Sequence, residues 1–322
     1  MAINGDSHSH IEARLHSITQ EAEDILLFDF RPGLGQHFPG VEAGAHIDLH
    51  LANGLSRSYS VINSQDDRDR YLIAVKKEAA GRGGSRFIHD ELRVGQRIAI
   101  GGPRNNFRLR EASAHSVFIA GGIGITPLYS MIQRLERLER SWELHYAAAH
   151  REQAAFVEPL ATLQPKTHFY FKSDQAGQGA LDLRQIIRDS RPDADFYCCG
   201  PTRMLRDFEA ATASIPPDRV HAEYFTALEA PAAEGGFEVV LQRSGQRLAI
   251  QAGETILDAL IKLGTDVPYS CMEGVCGSCQ VRVIEGTPDH RDLILSKQER
   301  DMNDRMLICC SGSKSAKLVL DL

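Results

Sequence analysis

Apolar side chains fall on every second position in His46-Ile47-Asp48-Leu49-His50-Leu51, the period of a half-buried strand. Tyr71, Ile73 and Val75 repeat the pattern, and Arg97-Ile98-Ala99-Ile100 adds a further short run. Turn signals at Asn53-Gly54 and Gly101-Gly102-Pro103 separate these runs. Short strands with such breaks predict a small antiparallel, six-stranded β-barrel over residues 1–110. From 111 to 228 the pattern changes. Ser116 to Ala120 reads as a buried strand. Leu128 to Leu138 reads as a helix with Leu128, Met131, Ile132 and Leu135 on one face. Further strands near 143–146, 168–171 and 196–198 alternate with helical stretches, which predicts a parallel α/β sheet. Residues 229–236 are small and polar and carry Pro231, Gly235 and Gly236, the composition of a linker. The last zone, 237–322, opens with two alternating strands around Ser244-Gly245, continues with a helix at Thr255–Leu263, and then becomes rich in cysteine.

Composition narrows the class. With 43% apolar and 25% charged residues among 322, the chain is ordinary globular material. A net charge of −7 is not the basic balance of a nucleic-acid binder. The start, Met1 to His10, is polar, without the basic and apolar regions of a signal peptide. The most apolar stretch, Ser116 to Ile132, is short for a membrane span and is broken by Gly121, Gly122, Gly124 and Pro127. The expectation is a soluble, cytoplasmic monomer with no membrane or nucleic-acid partner.

Seven cysteines occur, an odd number that argues against a secreted disulfide framework. Three of them form Cys271-Met-Glu-Gly-Val-Cys276-Gly-Ser-Cys279, and the pair Cys309-Cys310 lies about thirty positions on. This is C-x4-C-x2-C…C, the plant-type spacing for a 2Fe–2S cluster. Two bridged irons need four thiolates. A tight loop supplies three, and a distant segment supplies the fourth. Glycines such as Gly274 and Gly277 let the loop backbone approach the inorganic sulfides. Structural zinc sites use paired short C-x2–4-C units, and only one short pair is present.

Arg57-Ser58-Tyr59-Ser60 on a predicted barrel strand suits a flavin. Arginine pairs with phosphate, a tyrosine face lies against the isoalloxazine ring, and hydroxyls contact its polar atoms. Gly81-Arg82-Gly83-Gly84-Ser85 downstream offers close backbone approach, a second guanidinium and a hydroxyl. Taken alone, Arg57 would be a solvated surface arginine. Gly121-Gly122-Ile-Gly124-Ile-Thr126-Pro127 joins a strand to a helix, with Thr126 as N-cap and Pro127 in the first turn, a terminus that attracts phosphate. It departs from the usual dinucleotide fingerprint, and a G-x-G alone is also a plain tight turn. Cys199-Gly200-Pro201 forms a second glycine-led turn after a strand, and the two turns together would line one crevice. A lone Cys199 would be a small buried hydrophobe.

These motifs, in this order, resemble the phthalate dioxygenase reductase family, whose vanillate demethylase reductases are close relatives. The resemblance covers essentially the whole chain. It extends to Phe118-Ile-Ala-Gly-Gly-Ile-Gly-Ile-Thr-Pro127, Tyr197-Cys-Cys-Gly-Pro201, Asp289-His-Arg-Asp292 and the ending Leu318-Val-Leu-Asp-Leu322. It implies FMN at the barrel, NADH in the central domain, and a C-terminal plant-type ferredoxin domain of β-grasp fold. By matching motif, it implies flavin contacts from Arg57, Ser58, Tyr59, Ser60, Val75 and Lys76, with the phosphate held by Arg82, Gly83, Gly84 and Ser85. It implies nicotinamide-nucleotide contacts from Gly122, Gly124, Thr126, Cys199, Gly200 and Pro201. Ser60, Cys199 and Phe225 would border the site of hydride transfer, with Phe225 covering the flavin face. Counting back from Leu322 along the family's ending places the fourth cluster ligand at Cys309. Met306 to Cys310 reads as a strand, on which Cys310 would face the other way.

Two positions depart from the family pattern. Ala149 stands where many members carry an arginine, with His150-Arg151 following, and Lys172-Ser173-Asp174 leaves the choice between NADH and NADPH open. The chemistry implied is conversion of a two-electron donor into single electrons for an acceptor. The acceptor expected is a Rieske-type oxygenase acting on an aromatic acid. The alternatives are a reductase for another acceptor (a non-aromatic monooxygenase or a soluble ferredoxin) and a redox sensor.

Overall fold

The computed structural model describes residues 10–79, 81–173 and 181–322. They form two compact units, 10–223 and Tyr224–Leu322. Asp174 lies outside the described residues.

The first unit begins with six strands: β1 (Ile11–Ala22), β2 (Ile25–Arg31), β3 (His46–His50), β4 (Ser56–Ser60), β5 (Tyr71–Lys76) and β6 (Arg97–Arg104). They form one antiparallel sheet in the order β4-β3-β6-β1-β2-β5. The residue after β4, Val61, bridges to Ile73 of β5 and brings the two sheet edges together. The alternating residues seen in the sequence fill this barrel: Ile47, Leu49, Tyr71, Ile73, Val75, Ile98 and Ile100 are all buried in its core. Helix α1 (Gly84–Glu91) connects β5 to β6 and begins after Gly83, whose φ of 86° needs a residue without a Cβ.

A parallel sheet follows in the same unit. Its strands are β7 (Ser116–Gly121), β8 (Trp142–Ala148), β9 (Thr167–Phe171), β10 (Asp195–Cys199) and β11 (Val220–Glu223). The order β11-β10-β7-β8-β9 reverses direction between β7 and β10. Helices α2 (Ile125–Arg137), α3 (Val157–Ala161), α4 (Leu183–Asp189) and α5 (Thr202–Ala211) make the connections. The α2 stripe read from the sequence is fully buried, and its core is continuous with Ile25, Ala43, Ile62, Ala74 and Phe107 of the barrel. Polar contacts reinforce that seam. Gly44 N–H donates to Ser130 Oγ at 3.0 Å, Gln133 Nε2 to the Ile62 carbonyl at 2.8 Å, and Arg110 N–H to the Tyr197 hydroxyl at 2.9 Å. The barrel therefore keeps its own core and contributes one side to the core of the parallel sheet.

The second unit has the mixed sheet of a β-grasp. Strands β12 (Phe237–Leu241), β13 (Arg247–Ile250), β14 (Gln280–Glu285), β15 (Pro288–Asp289), β16 (Arg305–Leu307), β17 (Gly312–Ser313) and β18 (Lys317–Leu320) are joined by α6 (Ile256–Leu263) and α7 (Lys297–Met302). The main sheet runs β13-β12-β18-β14-β16, with β12 and β18 parallel. Thr255 caps α6 in a reciprocal box with Asp258. The segment 229–236 packs onto this unit: Ala232 N–H donates to the Cys310 carbonyl at 2.8 Å, and Glu234 pairs with Arg291 at 2.9 Å. No helix among the described residues is long and apolar enough to cross a membrane.

Gly44 has φ +91°, and a Cβ there would lie 2.1 Å from the Phe107 carbonyl oxygen and 2.7 Å from Met131 Cε. Gly44→Ala is therefore expected to destabilise the first unit by about 1–3 kcal/mol. Thermal melts of the holoprotein should show a lower Tm for that unit; an unchanged melt would show that the seam yields without cost.

Candidate functional site

The two glycine turns of the parallel sheet interlock. A Cβ on Gly124 would lie 2.2 Å from the Cys199 carbonyl oxygen, and one on Gly121 would lie 2.5 Å from Pro201 Cδ. A Cβ on Gly200 would in turn lie 3.0 Å from the Gly121 backbone. The turns at Gly121–Gly124 and Cys199–Pro201 thus touch backbone to backbone at the carboxyl ends of β7 and β10, where the strand order reverses and open α/β sheets bind ligands. Gly122, with φ +54°, has no atom near its Cβ position and stays open. Thr126 is not the N-cap expected from the sequence. A 3-10 turn over Gly122–Gly124 comes first and α2 starts at Ile125, so Thr126 sits inside the helix. Its hydroxyl donates to the Ile123 carbonyl at 3.0 Å and lies 3.5 Å from Ser60 Oγ of the barrel.

The barrel side of the candidate site is β4 and the start of α1. Arg57 and Tyr59 alternate with Ser56 and Ser58 along β4. The Arg57 stem lies against Gly84, where a Cβ would be 2.6 Å from Arg57 Cγ. Its guanidinium donates to the Ser56 carbonyl at 2.7 Å and the Arg82 carbonyl at 3.3 Å. Arg57, Arg82, Gly83 and Gly84 are thereby brought together, with Ser85 Oγ accepting from Glu78 N–H at 3.1 Å. A side chain at 84 would displace the arginine beside it.

Three expected flavin residues have partners within the protein. Ser58 donates its hydroxyl to Asp48 Oδ1 at 2.7 Å. Asp48 is buried; burial opposes its charge, yet Arg104 and Ser58 hold its carboxyl below the usual range. Val75 has its side chain in the barrel core and its carbonyl engaged by His89 Nε2 at 2.8 Å. Lys76 pairs with Glu78 at 2.9 Å.

Cys199 is buried, and burial together with Glu223 and Cys198 pushes its thiol well above the usual range. Glu223, its register partner on β11, was not singled out in the sequence. Its Oε2 is covered and has no hydrogen-bond partner, and burial pushes its pKa up to about 8. The only sequence signal is a carboxylate ending a strand that must lie beside Cys199. Phe225 is two residues further on, in the second unit, and 40% exposed.

In the second unit the four cysteines of the spacing converge. Cys271, Cys276, Cys279 and Cys309 are each at most 5% exposed. The Cys271 thiol neighbours those of Cys276 and Cys309, and Cys279 neighbours Cys309. Glu273 N–H donates to Cys271 Sγ at 3.3 Å, and Ser278 Oγ lies 3.2 Å from Cys276 Sγ. Their mutual contacts, with burial, push the Cys276 and Cys279 thiols up. Four converging sulfurs with polar hydrogens aimed at two of them fit a 2Fe–2S cluster, whose irons supply the positive charge that buried thiolates require. Cys310 stands apart. Its thiol contacts the Leu307 carbonyl at 3.7 Å and fills the space where a Gly274 Cβ would be, 2.5 Å away. The segment is not the strand expected from the sequence, because β16 ends at Leu307 and Cys309-Cys310 lie in a turn.

Two outcomes follow. Cys309→Ser should lose or shift the low-temperature EPR signal of the reduced cluster and lower bound iron, while Cys310→Ser keeps both; the reverse pattern would exchange the two residues' roles. Glu223 holds its proton in the folded state up to about pH 8 but releases it near 4.5 when unfolded. The native state therefore binds more protons between these values, and stability that is complete below about 4.5 is lost as pH rises toward 8. Glu223→Gln should gain Tm relative to the parent progressively from pH 5 to pH 8. A pH-independent difference would contradict the raised pKa.

Comparison with known proteins agrees with this architecture. The oxidoreductase FAD-binding domain matches residues 12–109, the oxidoreductase NAD-binding domain 118–210, and the 2Fe-2S iron-sulfur cluster binding domain 239–313. The chain is 52% identical over 312 residues to a protein named phenoxybenzoate dioxygenase subunit beta from Ectopseudomonas oleovorans, covering 97% of each. It is 47% identical over 319 residues to tetrachlorobenzoquinone reductase of Sphingobium chlorophenolicum, covering 98% of each. Among solved structures, phthalate dioxygenase reductase superposes with a TM-score of 0.73 at 34% identity over 98% of both chains. With flavin-, NAD- and 2Fe–2S-binding domains in one chain, this oxidoreductase belongs to the phthalate dioxygenase reductase-type family.

Proposed function

We propose that the chain takes hydride from NADH, uses FMN as its flavin, and delivers single electrons through its 2Fe–2S cluster to a Rieske-type oxygenase that acts on an aromatic acid. The observation that carries this reading is the convergence of the four thiols in a chain whose other unit interlocks two glycine turns beside Ser60 and Thr126. The bound flavin would supply the conversion between two-electron and one-electron chemistry that no side chain provides.

The chain's own residues then have distinct tasks. Arg57 and Arg82, beside the Gly83-Gly84 start of α1, offer two guanidiniums and free backbone amides to a terminal phosphate, which favours the mononucleotide. Tyr59 offers its ring to the flavin. Ser60 Oγ, approached by the Thr126 hydroxyl at 3.5 Å, offers a polar atom at the ring edge. Gly122, Gly124, Gly200 and Pro201 shape the floor on which the nicotinamide nucleotide rests. Cys199 and Glu223 lie at the end of that floor, and Glu223 keeps a proton at neutral pH. Cys271, Cys276, Cys279 and Cys309 hold the cluster. On the surface of that unit, Tyr269 and Met272 are more than a third exposed on either side of Cys271 and offer apolar area to a docking partner.

A relative's name gives a second reading, a reductase whose acceptor is a halogenated benzoquinone. Turnover of the holoprotein with NADH separates the two. Cluster-dependent reduction of a purified Rieske oxygenase, abolished in Cys276→Ser, is expected. Quinone reduction that survives this variant, with no oxygenase reduction, would support the second reading. Heat-released flavin should chromatograph as FMN; an FAD peak would overturn that part.

A further inference from the structure

Away from the glycine turns, the parallel sheet carries a second cluster of chemistry-bearing side chains. Glu143 and His145 are two apart on β8 and so share a face. His168 is the register partner of His145 on β9. The neighbours in sequence, Trp142, Leu144 and Tyr146, point into the core of the first unit, so the cluster lies on the opposite face. It lies in the amino-terminal halves of β8 and β9, whereas the glycine turns lie at the carboxyl ends of β7 and β10.

One ligand atom from each of Glu143, His145 and His168 lies within 4.8 Å of the other two. The His145 and His168 rings stack with centroids 4.9 Å apart. His145 is 8% exposed, and its Nε2 is buried without a hydrogen-bond partner, 3.6 Å from Glu143 Oε1. Its other nitrogen, Nδ1, is engaged by the Tyr170 hydroxyl at 3.0 Å. His115, just before β7, repeats the arrangement: Nδ1 meets Ser141 Oγ at 2.8 Å, and Nε2 faces Glu143 Oε1 at 3.9 Å.

Two imidazoles thus have Nδ1 fixed by a hydroxyl and Nε2 turned toward one carboxylate. Outer hydrogen bonds of this kind orient histidines that ligate metals. His115 and His145 also hold the Glu143 carboxyl well below the usual range, so it is anionic at neutral pH. Two imidazoles and a carboxylate form the nitrogen and oxygen set that zinc accepts, with the fourth position left to His115 or water. Ligand atoms around a tetrahedral zinc with bonds of about 2.0–2.1 Å stand roughly 3.4 Å apart.

We propose that Glu143, His145 and His168 form a binding site for one zinc-class divalent cation, separate from the redox cofactors, which staples β8 to β9. An ordinary histidine–glutamate ion pair would have the same register, but it does not account for His168, which stacks on His145 with a ligand atom within the same group.

The test uses holoprotein with flavin and cluster intact. After equilibrium dialysis against micromolar zinc chloride, metal analysis should give one zinc per chain beyond its iron. Zinc should also raise the Tm. His168→Asn and Glu143→Gln should each weaken this binding at least tenfold and abolish the Tm rise, while NADH oxidation with an artificial acceptor stays unchanged. Crystals of the unaltered protein soaked in zinc give a reading that does not depend on how the variants fold. Anomalous maps above and below the zinc edge should show one zinc peak between Glu143, His145 and His168. Absence of bound zinc, a peak elsewhere, or zinc retained at full affinity in both variants would overturn the site.

Discussion

The first unit depends on one close approach, that of the backbone at Gly124 to the carbonyl of Cys199, where even a methyl group would sit 2.2 Å from the oxygen. That approach sets where α2 begins, because the 3-10 turn over Gly122–Gly124 leads directly into it. The position of α2 then fixes the barrel. Ser130 receives the Gly44 N–H, Gln133 donates to Ile62, and Leu128, Met131 and Ile132 share a core with Ala43, Ile62 and Phe107. Through the same helix Thr126 comes within 3.5 Å of Ser60. The end of β4 and the two glycine turns are therefore placed by one piece of backbone packing, and a side chain at 124 would disturb both.

Architecture was legible where periodicity is strong and local. The alternation at 46–51 and 71–75, the buried stripe of α2 and the cysteine spacing each correspond to an observed element. The errors arose where a long-range contact decides the outcome. Thr126 has the chemistry of an N-cap, but the positive φ of Gly122 tightens the preceding turn and moves the helix start upstream. Met306 to Cys310 is apolar enough for a strand, yet pairing with β14 covers only Arg305–Leu307, and the chain then turns to bring Cys309 inward. The composition of 229–236 is that of a free linker, but Ala232, at 6% exposure, is bound to the backbone of Cys310.

The candidate site shows the same division. Arg57 and Tyr59 share one face of β4 because a strand places every second residue on the same side. That period also puts Ser58 opposite Asp48 in the antiparallel register, where its hydroxyl serves the barrel wall. Val75 belongs to the alternation that fills the core, so the pattern that predicted its strand also buried its side chain. Glu223 had only the weak mark of a carboxylate at a strand end. Its character comes from lying beside Cys199 across a parallel pair whose partners are 24 residues apart, and periodicity does not report such a neighbour.

Glu223 and the cluster thiols share a physical property. Each is an ionisable group whose charged form is opposed by its burial. The cluster thiols are crowded together and pushed up in pKa, although metal ligation needs them as thiolates. Glu223 keeps a proton that an exposed carboxyl would release. Burying such groups costs stability unless a partner offsets it. A chain selected for folding alone would replace them with apolar side chains of similar volume. Their concentration at strand ends and in one loop therefore follows from the chemistry performed there. Four sulfurs wait on positive charge, and one carboxyl keeps a proton beside the nucleotide turns. Mismatch between charge and burial is thus the structural signature of this reductase, and it becomes visible only when register and packing are known.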